Sequence, residues 1–313
     1  DRLRSRGLGD VYKRQDIDRI EAAEDRDVGE YAAQNWNEFS IYLGGESKFP
    51  NLHKQIPYPV DDSSILPFYD LQAFLSSSDN SYLNTINIIG NPFSYPYKAE
   101  LMDLLYSIPV KKNFYLTAST ACRFIKEIQQ IDLPNYELYI YYEQEEASIH
   151  HILTEKQIPF HWIYLISSEK QYEDLEKLET KYGNEYVEVH PIYTGDNLPF
   201  FEENVYLAEE DILQSNYDKQ DIFAHQVMNT NFWGRLSVLP DGKVYSNLNH
   251  PPLGTLKDRV YDLIVDEMTS KRAWRWIRDE VSPCKDCLFR YLCPSPSNYE
   301  LVIGKPNLCH VKP

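Results

Sequence analysis

The chain has 313 residues, 42 % of them apolar, and its 31 basic and 48 acidic side chains give a net charge of −17. This length can build one large domain or two with a proper core. No run of about 18 apolar residues is present, which argues against a membrane-spanning helix. The acidic charge argues against general binding to nucleic acid phosphates or anionic membranes.

Residues 1–15 have a foreign character. The segment Asp10-Val-Tyr-Lys-Arg-Gln15 looks like the in-frame translation of a transposon end used in sequencing libraries. We therefore exclude 1–15 from fold reasoning and expect a truncated gene fragment, in which acid-rich residues 16–35 are the remnant of a missing N-terminal region. Residues 1–15 carry a net charge of +3, which leaves −20 on the other 298 residues.

The predicted elements begin with a strand at 39–43. From about residue 86, short β-branched and aromatic runs alternate with helical stretches. The pattern predicts strands at 86–89, 113–117, 137–142, 161–166 and 186–193, and helices at 97–107, 121–131, 147–157 and 169–182. Alternation at this spacing indicates βα units around a parallel sheet, with strands that are apolar because both faces are covered.

The rhythm changes near residue 232. Short strands at 236–239 and 243–246 flank Pro240-Asp241-Gly242, which predicts a hairpin. A long amphipathic helix is predicted over 256–278, with Arg275 and Arg278 at its carboxyl end, where cations are favoured. We place a domain boundary that separates a region over 36–222 from a second region over 223–313.

Four of the five cysteines lie in this second region, at Cys284, Cys287, Cys293 and Cys309, with the spacing C-x2-C-x5-C-x15-C. Thiolates are soft donors, and four together suit Zn²⁺ or an iron–sulfur cluster. The alternative is four unmodified thiols in a loop-rich tail. The isolated Cys122 is predicted to be a small buried side chain. Cysteines without dispersed pairs fit a reducing compartment, so a cytoplasmic location is expected.

Several segments carry a resemblance to a known family. They are Asp241-Gly-Lys-Val-Tyr-Ser-Asn247, Leu253-Gly254, the run from Cys284 to Cys293, and Ile303-Gly-Lys-Pro-Asn-Leu-Cys309. From about residue 36 to its end, the chain resembles a radical-SAM protein with a C-terminal SPASM domain. Its tail resembles more closely the pseudo-radical-SAM/SPASM proteins of Bacteroidales Gly-Gly-leader peptide systems. The resemblance implies a partial (β/α)6 TIM-like barrel over 36–222 and a SPASM-like hairpin and loop metal domain over 223–313.

SPASM domains usually carry seven cysteines and two [4Fe–4S] clusters. At three of those positions this chain has Asn247, Ser297 and either Asn231 or Phe232. In the family these three positions serve the cluster nearer the barrel. The resemblance therefore implies that Cys284, Cys287, Cys293 and Cys309 hold one remaining [4Fe–4S] cluster, with Zn²⁺ as the alternative.

The barrel region also lacks the sequence motifs, called marks below, that are typical of radical-SAM chemistry. The loop at 44–59, where the family has Cys-x3-Cys-x2-Cys, contains no cysteine. The acidic residue of the strand-two mark is replaced by Asn91, and the later marks read Thr117-Ala118-Ser119 and Tyr141-Tyr142-Glu143-Gln144. S-adenosylmethionine is therefore not expected as a cofactor, and no catalytic residue is assigned.

The resemblance implies a non-catalytic iron–sulfur-binding protein in the maturation of a ribosomally synthesised, bacteriocin-like Gly-Gly-leader peptide. Its expected partners are the precursor peptide, a companion radical-SAM enzyme, or both. An electron relay, or an active peptide-modifying enzyme of radical-SAM type, is one alternative. A structural or interaction module stapled by Zn²⁺ is the other.

Overall fold

The computed structural model describes residues 34–45, 47–77, 82–143, 147–183, 187–270 and 272–311. The predictions for the foreign segment at 1–15, and for nearly all of the remnant at 16–35, lie outside these residues. Among the described residues, none of the helices is both long enough and apolar enough to cross a bilayer.

A nine-stranded sheet organises the described chain, in the spatial order β6-β5-β4-β3-β2-β1-β7-β8-β9. Strands β1 to β7 pair in parallel, and β7, β8 and β9 pair antiparallel. The sheet is open, because β6 and β9 form its two edges. The strands are β1 (Glu38–Tyr42), β2 (Thr85–Ile89), β3 (Lys111–Thr117), β4 (Tyr136–Tyr141), β5 (Phe160–Ile166), β6 (Val187–Pro191), β7 (Arg235–Val238), β8 (Lys243–Tyr245) and β9 (Gly254–Thr255).

Helices follow most of the parallel strands and cover one side of the sheet. In chain order, the described helices are α1 (Phe68–Ser77), α2 (Lys98–Ser107), α3 (Ala118–Arg123), α4 (Ile125–Ile128), α5 (Ala147–Glu155), α6 (Glu169–Tyr182), α7 (Leu198–Asn204), α8 (Glu209–Gln214), α9 (Lys219–Val227), α10 (Val260–Ser270) and α11 (Asn298–Ile303). Short 3-10 turns lie at Leu52–Lys54, Pro92–Ser94, Arg278–Glu280 and Cys284–Asp286. The five helices α1, α7, α8, α9 and α11 were not among the predicted elements.

The helix-covered face of the sheet forms the main apolar core. Side chains at alternate strand positions share one face, and Phe39 and Ile41 of β1 lie in register with Ile86 and Ile88 of β2. These residues are fully buried, and the same cluster continues through Phe114, Leu116, Leu138, Ile140, Leu236 and Val238 and through helix residues such as Leu71, Phe74, Leu101 and Leu105. Removing this apolar surface from water is the dominant favourable contribution to folding.

The opposite, inner face of the sheet is polar in its central strands, so the expectation of strands with two apolar faces was wrong there. Asn87 donates from Nδ2 to Ser40 Oγ at 3.1 Å, and Asn113 donates to Asn87 Oδ1 at 3.0 Å. The rings of Tyr115, Tyr139 and His161 stack in a row across β3, β4 and β5. An open sheet leaves this face as the lining of a half-barrel interior, where polar groups bond to one another.

Two features of the second region differ from the sequence prediction. The helix predicted over 256–278 ends at Ser270, because the buried Glu267 carboxylate accepts the backbone N–H groups of Ala273 and Trp274 at 2.7 and 2.8 Å. Those N–H groups therefore do not continue the helix. In addition, β7 pairs in parallel with β1, so one sheet runs across the boundary placed at 222/223, and that boundary stays a prediction.

Candidate functional site

The four C-terminal cysteines lie on three short segments. Cys284 is buried at the start of a 3-10 turn, and Cys287 follows it with its N–H on Cys284 O at 2.9 Å. The N–H of Cys293 donates to Phe289 O at 3.0 Å. Cys309 forms an isolated parallel bridge with Leu207, so the chain's last cysteine is held against the segment between α7 and α8.

The four thiols share one electrostatic environment. Burial raises the pKa of Cys284, and it raises the pKa of Cys293 to about 11. Charge on the neighbouring sulfurs adds to both increases, and the Arg278 guanidinium opposes them. Four thiolates this close together repel one another, and a bound cation would relieve that repulsion.

The four thiols lie in the same region, but they are not arranged around one common point. Among the residues that the structure describes, no three His, Cys, Asp or Glu side chains are placed together so that they could hold a metal ion. Coordination by the four cysteines would therefore require their side chains to turn toward one another. The donor chemistry fits a soft metal or an iron–sulfur cluster, and the ligand set stays a prediction.

One buried arginine connects the segments that carry these cysteines. Arg278 donates from Nε to Pro294 O at 3.1 Å, next to Cys293, and from one terminal nitrogen to Pro306 O at 3.4 Å, on the segment that leads to Cys309. The same nitrogen lies 3.9 Å from Cys284 Sγ. The other terminal nitrogen donates to Glu300 Oε1 at 2.7 Å.

The carboxylate of Glu300 extends this connection into α11. Its Oε2 accepts the backbone N–H of Ser297 at 2.8 Å and the Ser297 hydroxyl at 2.5 Å. Ser297 is the N-cap of α11 and accepts the N–H of Tyr299 in turn. Carboxylate and guanidinium are both almost completely buried, so each depends on the other for its charge partner.

The three positions where SPASM domains usually have further cysteines lie around one cavity. Both candidates for the first position, Asn231 and Phe232, line a space of about 310 Å³ together with Asn247 and Ser297, between the C-terminal region and the inner face of β1 and β7. Amide groups bond to neighbours there: Asn247 donates to Asn298 Oδ1 at 2.8 Å, and Asn231 donates to Ser295 O at 2.9 Å. Sequence separation alone could not show that these three positions meet.

The cysteine-free loop at 44–59 lies over the carboxyl ends of β4, β5 and β6. Glu46 of this loop lies outside the described residues, and residues 48–51 are exposed. Leu52, Ile56 and Tyr58 are buried in a cluster with Tyr141, Ile163 and Ile192. Tyr141 also donates its hydroxyl to Pro57 O at 2.5 Å. This loop therefore fills part of the barrel mouth with the chain's own apolar and aromatic groups.

The residues at the three barrel marks are engaged in local structure. Asn91 Oδ1 accepts the N–H groups of Phe93 and Ser94 and caps the turn that follows β2. Gly90 before it has φ +110°, and a Cβ there would lie 2.0 Å from Leu43 O, so only glycine fits. Thr117 caps α3 through the N–H of Thr120.

The last of these marks contains Glu143, which connects the loop at 44–59 to the barrel. Glu143 accepts the N–H of Ser119 at 2.9 Å and pairs with Lys48 of the loop. The Lys48–Glu143 pair borders a cleft of about 810 Å³ at the carboxyl ends of β3, β4 and β5. The aromatic rings of Phe49, Tyr58, Tyr141 and Tyr142 line the same cleft.

Comparison with solved structures shows which fold this is. The chain is similar to Streptococcus suis SuiB bound to the precursor peptide SuiA, with a TM-score of 0.52 and 11 % identity over 88 % of this chain and 75 % of that one. It is also similar to SuiB bound to S-adenosylmethionine, with a TM-score of 0.50 and 10 % identity over 86 % and 75 % of the two chains. At these identities the likeness concerns the fold, and it confirms the α/β partial barrel of radical-SAM type.

No family model matches the chain, and no curated protein matches it. The comparisons therefore show the fold, and the family named from the sequence stays a prediction.

Three side chains have positions or partners that the sequence did not predict. Cys122 was predicted to be buried, but it is exposed and lines the cleft at the barrel mouth, because it lies on the solvent side of the short helix α3. The roles of Arg278 and Glu300 were missed as a pair. Charged residues 22 positions apart give no local signal of a shared buried contact.

Proposed function

We propose that this protein is a non-catalytic partner in the maturation of a ribosomally made Gly-Gly-leader peptide. It binds the precursor peptide at the barrel mouth and carries one [4Fe–4S] cluster on its C-terminal cysteines. The observation that carries this proposal is the cysteine-free loop at 44–59, which packs Leu52, Ile56 and Tyr58 over part of the barrel mouth and leaves the cleft beside Phe49 open.

The packing of that loop supports the loss of S-adenosylmethionine chemistry. Reductive cleavage of this cosubstrate requires an iron–sulfur cluster with one open iron, held by three thiolates near the mouth. The loop has no thiolate to offer. Asn91, Thr117 and Glu143, at the marks that would surround the cosubstrate, are occupied as helix caps or as a partner of Lys48.

The cleft at the mouth supports peptide binding. It combines aromatic rings with a charged pair at the carboxyl ends of parallel strands, where α/β proteins commonly bind their ligands. Phe49 is 41 % exposed at its rim, which makes it a suitable anchor for an apolar side chain of a partner. A protein of the same fold, SuiB, has been seen with its precursor peptide bound.

The cysteine region would hold the metal centre. Cys284, Cys287, Cys293 and Cys309 supply a complete set of four thiolates for one [4Fe–4S] cluster, or for Zn²⁺ in the alternative interpretation. When bound, such a fully ligated cluster supplies one-electron transfer or a structural cross-link. An electron relay to a companion radical-SAM enzyme stays a second candidate function, because it needs only this cluster and a docking partner.

Peptide binding can be tested by fluorescence anisotropy with a fluorescein-labelled synthetic precursor peptide that carries a Gly-Gly leader. We expect saturable binding, which Phe49→Ala weakens about tenfold through loss of an aromatic anchor. Tyr172→Ala is the matched control, because Tyr172 is a similarly exposed aromatic residue on α6. An absence of binding by the wild-type protein would contradict the peptide assignment.

The proposed absence of S-adenosylmethionine cleavage and the identity of the metal centre are tested in a separate experiment. Protein purified anaerobically is assayed for iron, acid-labile sulfide and zinc, and is then incubated with S-adenosylmethionine and dithionite. We expect about four irons and four sulfides per chain and no 5′-deoxyadenosine. Formation of 5′-deoxyadenosine would overturn the non-catalytic assignment, whereas one zinc per chain would favour the structural module.

A further inference from the structure

The Arg278 side chain is more deeply buried than that of Arg290, which lies among the cysteines, donates to Cys287 O at 3.1 Å and is 30 % exposed. The side chain of Arg278 is only 8 % exposed, and its donors reach Pro294, Pro306 and Glu300. By contrast, Arg272 pairs with Asp266 at 3.1 Å and keeps a third of its surface in water. Burying a guanidinium is costly unless its donors are used, and at Arg278 they are used by three different segments.

The geometry requires an arginine. A guanidinium presents five N–H donors in a rigid planar fork, whereas a lysine presents one point charge on a flexible stem. An ammonium at this place could pair with Glu300 but could not reach Pro294 O and Pro306 O together. Arg278 therefore determines how the Cys284 turn, the Cys293–Pro294 segment and the segment before Cys309 lie relative to one another.

We propose that Arg278 is the positioning residue of the cysteine site, the side chain that holds three separate segments so that four thiols can bind one metal centre. Its contact with Cys284 Sγ also places an N–H donor and a positive charge beside the first ligand. Groups that hold metal ligands in place usually matter about 10–100-fold in metal affinity. This inference rests on the four-cysteine site alone and is independent of peptide binding.

The test uses Co²⁺ as the probe, because thiolate-bound Co²⁺ gives a charge-transfer absorption band that reports sulfur ligation. The reduced full-length chain is titrated with Co²⁺ under anaerobic conditions. Arg278→Lys is the decisive variant, since it keeps a cation opposite Glu300 and loses the fork. Arg278→Met/Glu300→Gln removes both charges while Gln can still cap α11, and Arg272→Met is the matched control. Circular dichroism and the urea midpoint monitor folding.

We expect Arg278→Lys to remain folded, to bind Co²⁺ at least about tenfold more weakly than wild type, and to show a weaker charge-transfer band. The double variant should lose at least as much affinity, and Arg272→Met should match wild type. Wild-type affinity and spectrum in Arg278→Lys would overturn the proposal. So would a wild-type protein that gives no cobalt–thiolate band, and in that case peptide binding would stand unaffected.

Discussion

Phe39 and Arg278 are both almost completely buried, yet they stabilise the structure around them by different means. Phe39 packs in β1 against the rings of Trp36 and Phe74, with centroids 5.4 and 5.7 Å away, inside an apolar cluster that continues along the whole sheet. Arg278 joins carbonyls, a carboxylate and a thiol in a region of short turns. Apolar burial is non-directional, whereas polar contacts depend on each partner being in place.

This difference means that the barrel can keep its shape when residues at its mouth change. The sheet needs only apolar side chains of suitable size at alternate positions, so residues at the barrel mouth can change without disturbing the core. The cysteine region has a six-residue helix and two 3-10 turns, and is stabilised by a hydrogen-bonded network. We expect it to depend on bound metal as small metal-stapled domains do.

Metal removal should separate the two regions most clearly. In Cys284→Ser/Cys287→Ser, we expect amide protection over 282–309 to fall by at least ~100-fold because the cross-link is lost. Protection in β2, β3 and β4 should stay near wild type. Hydrogen exchange with mass spectrometry measures both, and Cys122→Ser serves as control. Equal protection of 282–309 in wild type and variant would contradict a metal-dependent region.

The apolar core should give the next largest effect. Phe39→Ala removes a fully buried ring from the cluster with Trp36 and Phe74, and should lower the free energy of unfolding by about 3–5 kcal/mol. Urea unfolding followed by circular dichroism provides the measurement. Iron and sulfide content per folded chain should be unchanged, and a parallel loss of metal would mean that the two regions are not energetically separate.

Removing one donor from the polar network near the cysteines should lower the free energy of unfolding by less than Phe39→Ala does, and the effect should be local. Asn229 is fully buried, and its Nδ2 donates to Trp276 O and Pro296 O, each at 2.9 Å. Asn229→Ala leaves these carbonyls without that donor and should cost about 2–3 kcal/mol. We expect the loss to appear as faster exchange around 274–296 with little change in β2–β4. Uniform destabilisation of the whole chain would argue against a local network.

The loop at 44–59 joins the two regions, and its His53 should give the smallest effect, visible through pH. Burial, and secondarily the charge of Lys54, lower the pKa of His53 from 6.5 to about 4. Below pH 6.5 the unfolded chain gains a proton that the folded chain does not, so stability falls as the pH drops from 6.5 toward 4. Above that range His53 is neutral in both the folded and the unfolded chain, and this loss of stability is absent.

His53→Gln should remove this part of the pH dependence. The loss of unfolding free energy between about pH 7.5 and pH 5 should become smaller than in wild type by about 1 kcal/mol, a value reduced for solvent screening of a half-buried ring. Urea unfolding at both pH values gives the difference, with exposed His151→Gln as the control. An unchanged pH dependence in His53→Gln would show that His53 is not shielded.

The barrel strands were predicted well because each strand is indicated by the residue pattern within its own segment. The strand predicted at 86–89 is Thr85–Ile89, and the one at 39–43 is Glu38–Tyr42. The polar inner face was missed, since Ser40, Asn87 and Asn113 are isolated in the sequence and meet only through strand register. The end of α10 was missed because a side chain, Glu267, captures the backbone N–H groups that would have continued it.

The candidate site also has one part that the sequence predicted and one part that it did not. The spacing of Cys284, Cys287 and Cys293 is local and could be recognised at once. The buried Arg278–Glu300 pair depends on contacts between segments that only the folded chain brings together, and so do the contacts of loop 44–59 with β4 and β5. Such long-range pairings are also what makes β-rich folds slow to form.

The parallel pairing of β7 with β1 has a consequence for the chain as it is synthesised. Strand β1 is complete at Tyr42, whereas its neighbour on one side is complete only at Val238. At 5–20 residues per second, about 10–40 s of translation separate the two events. During that interval β1, an interior strand of the finished sheet, is an unprotected edge, open to pairing with other chains. We therefore expect the nascent protein to need a chaperone at this stage, and a chain ending before β7 to aggregate.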